Sequence, residues 1–267
     1  MCASISSYFD TIGRFEPMQI TLIVPCYNEE ANFQKGVLDK VGNYTKDHPL
    51  FAEVLIADDG STDATAQIIR DSYAPLFPKF KLLSLPHGGK ANTVIAAVNA
   101  AQSPYVLFTD ADLATPIEEA EKLIERQIAT HAPVVIGSRG VTRPDAPLTR
   151  KIMALGMISL RSILFGLRSV KDTQCGFKLF ERSVAVSLFS KLLVFKKKKV
   201  GTQASVSAIF DLEFLFLARK FGHRIEEVHV SWRHVETKRV SFIKDVVESL
   251  IDIARLKWYD ICGKYQP

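Results

Sequence analysis

No run of about 20 apolar residues, the length a membrane-spanning helix needs, occurs in this sequence of 267 residues. The first twenty residues carry Asp10, Arg14, Glu16 and Pro17, which is not the pattern of a secretory signal. Cysteine is scarce. Cys2, Cys26, Cys175 and Cys262 lie far apart without metal-ligand spacing, so free thiols of a cytoplasmic protein are expected rather than disulfides or zinc. Internal repeats and low-complexity linkers are absent. Charge of one sign is also short: the formal balance is +5, too small to imply a nucleic-acid partner. No G-x-G-x-x-G follows the first apolar run, which counts against a nicotinamide-dependent oxidoreductase. What remains is an ordinary globular composition, 47% hydrophobic and 24% charged, long enough for one α/β domain with an appendage.

The informative feature is a pair of apolar runs that each end in carboxylates. VLIADDGSTDAT (54–65) delivers Asp58 and Asp59, and YVLFTDADLATP (105–116) delivers Asp110 and Asp112. Strands that carry carboxylates at their C-terminal tips, followed at once by helix-capping residues, set those groups at the mouth of a parallel sheet. The single residue between Asp110 and Asp112 lets two hard oxygen ligands approach one divalent cation, Mg²⁺ or Mn²⁺. A cation held this way commonly neutralises substrate phosphates.

Five apolar segments alternate with helical ones in the first half: ITLIVPC (20–26), AEVLIADD (52–59), KFKLLSLP (79–86), PYVLFTD (104–110) and APVVIGSR (132–139). The pattern predicts a mostly parallel, two-sided sheet whose strand ends share one edge. Pro25 is expected to stop the ladder of the first strand, and Ser61 or Thr62 to cap a helix over 63–71. In the second half, 148–167 reads as a helix, apolar over much of its surface and interrupted by Arg150, Lys151 and Arg161. Both an interfacial helix and one packed on the core fit that pattern. DTQCGFKLFER (172–182) supplies a short strand, and Lys196 to Lys199 an exposed basic loop suited to solvent or to anionic lipid headgroups. A helix over 210–222 closes at Gly222, a strand follows in RIEEVHVSW, and 240–258 forms a final amphipathic helix.

IVPCYNEE (23–30), ADDGSTD and FTDAD, in this order, resemble the family-2 glycosyltransferases, and the resemblance runs from about residue 20 to residue 232. FTDADLATP, GSR (137–139), DTQCGFKLF (172–180) and FDLEFL (210–215) resemble the dolichyl-phosphate β-glucosyltransferase branch. The resemblance implies a Rossmann-like nucleotide-sugar-binding fold. It implies an N-terminal extension over 1–18, a catalytic domain over 19–239 with an interfacial helix at 148–168, and a C-terminal amphipathic helix and tail over 240–267.

It also implies roles. Pro25, Tyr27 and Glu29 would line the nucleoside site, and Asp58 or Asp59 would contact the base or ribose. Lys90 would approach phosphate or sugar, Asp110 would hold hydroxyls and assist the metal, and Asp112 would ligate it. Gln174, with Asp172 and Lys178, would line the sugar and acceptor cleft, and Asp211 and Glu213 would position substrate. Arg139, Arg150, Arg233, Lys238 and Arg239 are the candidates for an acceptor phosphate, Arg139 foremost because a guanidinium binds phosphate in a bidentate way. Arg239 falls in WRHVETKRV, which lacks the Gly and Ser that the family carries there. Ala114 stands where mannose-transferring relatives carry Gln, so UDP-glucose is the expected donor over GDP-mannose. The expected protein is an inverting, metal-assisted enzyme that glucosylates a polyprenyl (dolichyl-type) phosphate, peripheral on the cytoplasmic face of a membrane. Mannosyl or other hexosyl transfer, and a non-catalytic nucleotide-sugar-binding scaffold, are the rival readings.

Overall fold

The computed structural model describes residues 8–9, 15–16, 18–140, 148–197, 203–233 and 242–266. Seven strands form one sheet: β1 (Ile20–Cys26), β2 (Phe51–Asp58), β3 (Phe80–Ser84), β4 (Tyr105–Phe108), β5 (Val134–Ser138), β6 (Lys178–Glu181) and β7 (Ile225–His229). Their order is β3-β2-β1-β4-β6-β5-β7. The first four are mutually parallel, and β5 is parallel to β7. The expected mostly parallel α/β sheet is therefore present. Strand β6 alone runs antiparallel, inserted between β4 and β5. Tyr8–Phe9 and Phe15–Glu16 pair as a separate two-stranded ribbon.

The helices that matter for the site are α1 (Val37–Thr45), α2 (Lys90–Ala100), α3 (Ala120–Thr130), α4 (Leu148–Phe165), α5 (Arg182–Ser190), α6 (Gln203–Lys220) and α7 (Phe242–Ile261). Apolar side chains on both faces of the sheet build two cores. One gathers Ile23, Leu55 and Phe108 with Phe180, Phe214 and Leu215, and the other Leu22, Val24 and Ile56 with Phe33, Leu107 and Phe177. Alternate residues of β1 thus serve opposite cores, which is why the strand reads as continuously apolar.

Two local expectations need correction. Pro25 does not end β1, because it still pairs with Ala57 in the β2 ladder, and only the ladder toward β4 stops earlier, at Ile23 opposite Phe108. Neither Ser61 nor Thr62 caps the next helix, which begins at Thr65. The Asp63 carboxylate accepts the Thr65 N–H at 3.0 Å, while the Ser61 hydroxyl donates to Asp58. Gly166 and Gly222, both at positive φ, close α4 and α6 as glycine can without a Cβ penalty.

Glu213 shows how tightly the C-terminal part is tied. Buried on α6, its carboxylate accepts the N–H groups of Leu193, Val194 and Phe195 at 2.7, 2.9 and 2.8 Å and the Tyr265 hydroxyl at 2.5 Å. Burial, followed by the Glu213 charge, pushes the Tyr265 phenol far up, so it stays a donor. Glu213 is an anchor of the chain.

Candidate active site

The parallel strands β1, β2, β3 and β4 all end at one edge, and the loops there are laced together by polar side chains. Asn28 sits at φ +53, a left-handed turn that asparagine tolerates, and its Oδ1 accepts the Thr62 N–H at 2.8 Å. Its own N–H donates to Ser61 at 2.9 Å, and the Glu29 N–H donates to Thr65 at 2.8 Å. Asp59 reaches across to the loop after β3, where its two oxygens accept the Gly88 and Gly89 N–H groups, both at 2.8 Å. Gly89 lies at φ +85, so the paired N–H groups form a small anion nest that a bulkier residue would strain. Asp58 and Asp59 are both buried, with their carboxylates on Ser61 and on this glycine turn respectively.

Above that edge Tyr27 stacks on His87, ring centroids 4.3 Å apart and planes at 30°. Asp59 holds His87 in place at 3.0 Å. Sequence reasoning gave no role to His87. A cross-loop ring pair leaves no periodic signal.

The acidic turn after β4 is shaped by its own backbone. Leu113 adopts φ +47, its N–H donates to the Asp110 carbonyl at 3.1 Å, and Asp112 Oδ1 accepts the Ala114 N–H at 2.9 Å. Asp110 is ion-paired with Lys90, at the start of α2. Burial disfavours the Lys90 charge, but Asp110, with Asp211 and Asp112 behind it, outweighs that and raises its pKa. Gly176 packs against Asp110 so closely that an added Cβ would stand 2.2 Å from a carboxylate oxygen.

Glu29 reports the negative potential here. Its pKa is raised first by burial, against an opposing hydrogen bond from Asn32, and further by Asp112, Asp63 and Asp110. Asp110 and Asp112 are the carboxylates of this turn that could hold a divalent cation. Among the described residues no cluster of three or more His, Cys, Asp or Glu forms a complete cage. Two carboxylates with the rest of the shell left to water and phosphate oxygens is how Mg²⁺-type sites in phosphate-binding enzymes are commonly built.

The segment 172–176 joins this turn to a cationic wall. Asp172 takes Arg139 Nε at 2.7 Å and Nη2 at 2.8 Å, plus the Arg139 N–H at 3.1 Å. The guanidinium also lies 5.8 Å from the Trp232 ring centroid. Burial would raise the Asp172 pKa, but the Arg139 fork outweighs it and holds the carboxyl below its usual range. Such a group stabilises the fold above the ordinary carboxylate pKa and loses that contribution as acid titrates the folded state. Asp172→Asn should consequently flatten the loss of stability between about pH 5 and pH 3. Circular-dichroism melts across that range check this, and an unchanged slope would refute it.

Lys178 is buried in β6, with Nζ 2.8 Å from Asp211 Oδ1, 2.5 Å from the Cys175 carbonyl and 5.2 Å from the Phe108 ring centroid. Burial raises the Asp211 pKa, with Lys178 and then Lys90 acting against it. Asp211 is thus tied to Lys178, whereas Glu213 holds the Leu193–Phe195 backbone. Gln174 is exposed and lines a cavity with Met157 and Arg161 of α4. Arg161, which the sequence showed only as an interruption of an apolar helix, donates to Thr173 at 2.6 Å and to the Met157 carbonyl at 3.1 Å.

Arg233 is exposed, and its N–H donates to the Ala114 carbonyl at 2.8 Å, which sets it beside the acidic turn. Arg150 lies on α4, but its side chain is outside the described residues, as are Lys238 and Arg239. The structure therefore gathers Pro25, Tyr27, Glu29, Asp58, Asp59, Lys90, Asp110, Asp112, Arg139, Gln174 and Arg233 around one end of the sheet.

An exposed aromatic stack, an acidic turn and a locked arginine thus share one edge of the sheet. The chain belongs to glycosyl transferase family 2, whose profile matches residues 21–189, and it is a glycosyltransferase. It is 32% identical to a dolichyl-phosphate β-glucosyltransferase of Trichomonas vaginalis, over 97% of this chain and 79% of that one. For proteins of the same name the figures are 28% in Saccharomyces cerevisiae, over 94% and 78%, and 29% in Homo sapiens, over 83% and 69%. Mannosyl-3-phosphoglycerate synthase of Rubrobacter xylanophilus shares the fold at a TM-score of 0.65 and 15% identity, over 94% of this chain and 76% of that one. Glucosyl-3-phosphoglycerate synthase of Mycobacterium tuberculosis, solved with Mn²⁺, UDP and glucosyl-3-phosphoglycerate, does so at 0.58 and 20%, over 92% and 80%.

Proposed function

We propose that this glycosyltransferase moves glucose from UDP-glucose to a dolichyl-type polyprenyl phosphate and inverts the anomeric carbon to give a β-linked product. One observation carries the reading. The segment 172–176 touches both halves of the site, with Asp172 on Arg139 and Gly176 on Asp110. Donor-side carboxylates and an acceptor-side guanidinium are thereby held by a single stretch of chain. The names of the relatives support glucosyl transfer to dolichyl phosphate.

In this reading the Tyr27–His87 stack receives the base, and Lys90 faces the diphosphate. Asp112 and Asp110 would hold a divalent cation, Mg²⁺ or Mn²⁺, which when bound neutralises the leaving diphosphate. Arg139, its plane fixed by Asp172, holds the acceptor phosphate in line with the anomeric carbon, and Arg233 adds positive charge beside it. A phosphate oxygen forms the new bond to C1 as the bond from C1 to the diphosphate oxygen breaks, and UDP departs with that electron pair. No proton has to move. A phosphomonoester has its second pKa near 6, as phosphorylated side chains do, so at neutral pH it is mostly the dianion and already nucleophilic. Asp211, neutralised by Lys178, is then a positioning residue and not a base. Attachment is peripheral, at the cytoplasmic face of a membrane. Among the described residues no helix is long and apolar enough to cross one.

Calorimetric titration with Mn²⁺ or Mg²⁺ present should show tighter binding of UDP than of GDP. A transfer assay with UDP-glucose and a short polyprenyl phosphate should yield the lipid-phosphate sugar. Tighter GDP binding, with transfer from GDP-mannose, would move the assignment to a mannosyltransferase.

A further inference from the structure

We infer that the outer face of α7 is a membrane-docking surface that lies in the headgroup region of an anionic lipid bilayer. The side chains of Val247, Leu250, Ile251, Trp258 and Ile261 are 50%, 42%, 45%, 62% and 68% exposed. At 3.6 residues per turn they fall, with exposed Ala254, within an arc of about 100°. A surface helix of a globular fold ordinarily turns such a stripe toward the core. Here the inward face is a different one, formed by Asp252, Ile253 and Leu256, all buried.

The neighbourhood selects lipid as the occupant. Among the described side chains the exposed positions of α7 carry no carboxylate, and Arg255 stands at the margin of the stripe with 60% of its side chain exposed. At the C-terminal end, the Nζ atoms of Lys197 and Lys264 lie 5.1 and 4.2 Å from the Tyr259 ring centroid. Lys191 reaches the Gln266 carbonyl at 3.2 Å, and Lys196 is exposed beside it. An apolar stripe with an exposed tryptophan and a basic collar is the composition of an interfacial helix. It complements anionic headgroups.

A second copy of the chain fits less well. From Val247 to Ile261 the stripe is about 21 Å long and no wider than a helix, so its footprint is about 200 Å². Stable interfaces bury about 800 Å² per partner. Pairing two such faces would also bring the two basic collars together.

For 148–167 the sequence fitted both an interfacial helix and one packed on the core. On α4, Met157, Leu160 and Leu164 pack against the core, and Arg161 is turned to Thr173. Ile163, 80% exposed, is the one large apolar side chain of the described part of α4 that projects outward. The cavity beside Gln174 is lined from one side by α4 and from the other by Ser249, Asp252 and Ile253 of α7. A bilayer against α7 would thus lie next to the acceptor side of the site. The inference rests on the proposed function only for that last point.

The test is co-sedimentation with phosphatidylcholine vesicles, with and without phosphatidylserine, at low and high salt. The full chain should bind, more strongly with phosphatidylserine, and part of the binding should survive high salt. Leu250→Glu/Ile251→Glu/Trp258→Glu should weaken it at least about ten-fold while UDP binding and transfer to a short soluble polyprenyl phosphate persist. A second readout needs no destabilising change. Vesicles should blue-shift the emission of the wild-type chain, brominated lipid should quench it, and both effects should vanish in Trp258→Phe. Equal vesicle binding by the triple variant, or no quenching at Trp258, overturns the proposal. So does a wild-type chain that ignores vesicles but forms a dimer that the triple variant breaks. Vesicle binding without any transfer to a lipid phosphate would refute the proposed function and leave this surface standing.

Discussion

Gly176→Ala should leave a folded protein with at most about one-hundredth of the wild-type transfer rate, as deep a loss as Asp112→Ala. The new methyl group would stand 2.2 Å from Asp110 Oδ2 and 2.6 Å from its Cγ, distances no native contact reaches. Gly176 has ordinary backbone geometry, so no strain at φ competes with the clash, and the short Asp110 side chain has to swing away. That movement breaks its ion pair with Lys90 and displaces the carboxylate next to Asp112. A misplacement of about 1 Å at a reacting centre can cost about 100-fold. Asp112→Ala reaches a similar loss by deleting the oxygen ligand itself. The two variants should differ in one respect. Gly176→Ala keeps both carboxylates, so excess Mn²⁺ should recover part of its activity, whereas Asp112→Ala should stay inactive. Initial rates across a metal titration, with melting temperature as the control for folding, decide the matter. Wild-type turnover by Gly176→Ala, or full turnover by the wild-type enzyme in excess chelator, would overturn the acidic-turn assignment.

The parts of the site that could be read in the sequence are those carried by short, local patterns. Strands ending in Asp58 and Asp110 were legible because continuous apolar runs stop abruptly at carboxylates, and parallel pairing then sends those ends to one edge. Arg139 was legible through its place at the end of β5. Its partner was not, because Asp172 lies in a distant loop and only the antiparallel insertion of β6 between β4 and β5 brings them together. Non-local pairing of that kind has no periodic signature. Asp58 or Asp59 was expected to contact base or ribose; that the Asp59 carboxylate also accepts the Gly88 and Gly89 N–H groups was not legible, because that turn belongs to another loop. Asp211 and Glu213 are different. Residues two apart on a helix point about 200° from each other, so they could have been separated from the sequence alone. The structure puts Asp211 on Lys178 at the site and Glu213 on the Leu193–Phe195 backbone.

Asp211→Ala is expected to cost about 3–5 kcal/mol of stability, a fall of about 6–20 °C in melting temperature. The reason is the ion left behind. The Lys178 side chain is 1% exposed, and without Asp211 its described polar contact is the Cys175 carbonyl alone. A buried ammonium that loses its counter-ion keeps the full cost of leaving water. Lys178→Met should be milder, because the carboxylate that remains can take up a proton. Burial already raises the Asp211 pKa, and removing the lysine takes away the largest opposing influence. In that variant the folded state holds its proton more tightly than the unfolded state does. The contribution of Asp211 to stability should then be greatest in acid and be lost as pH rises through its raised pKa. The double variant Lys178→Met/Asp211→Leu replaces the pair with apolar groups and should recover most of the lost stability. Its transfer rate should not recover, since Asp211 also contributes to the field around Lys90 and Asp110. Thermal melts of the three variants across pH, beside their initial rates, separate the two effects. Loss of activity in Asp211→Ala at an unchanged melting temperature would show that Asp211 acts on substrate directly and does not merely hold Lys178.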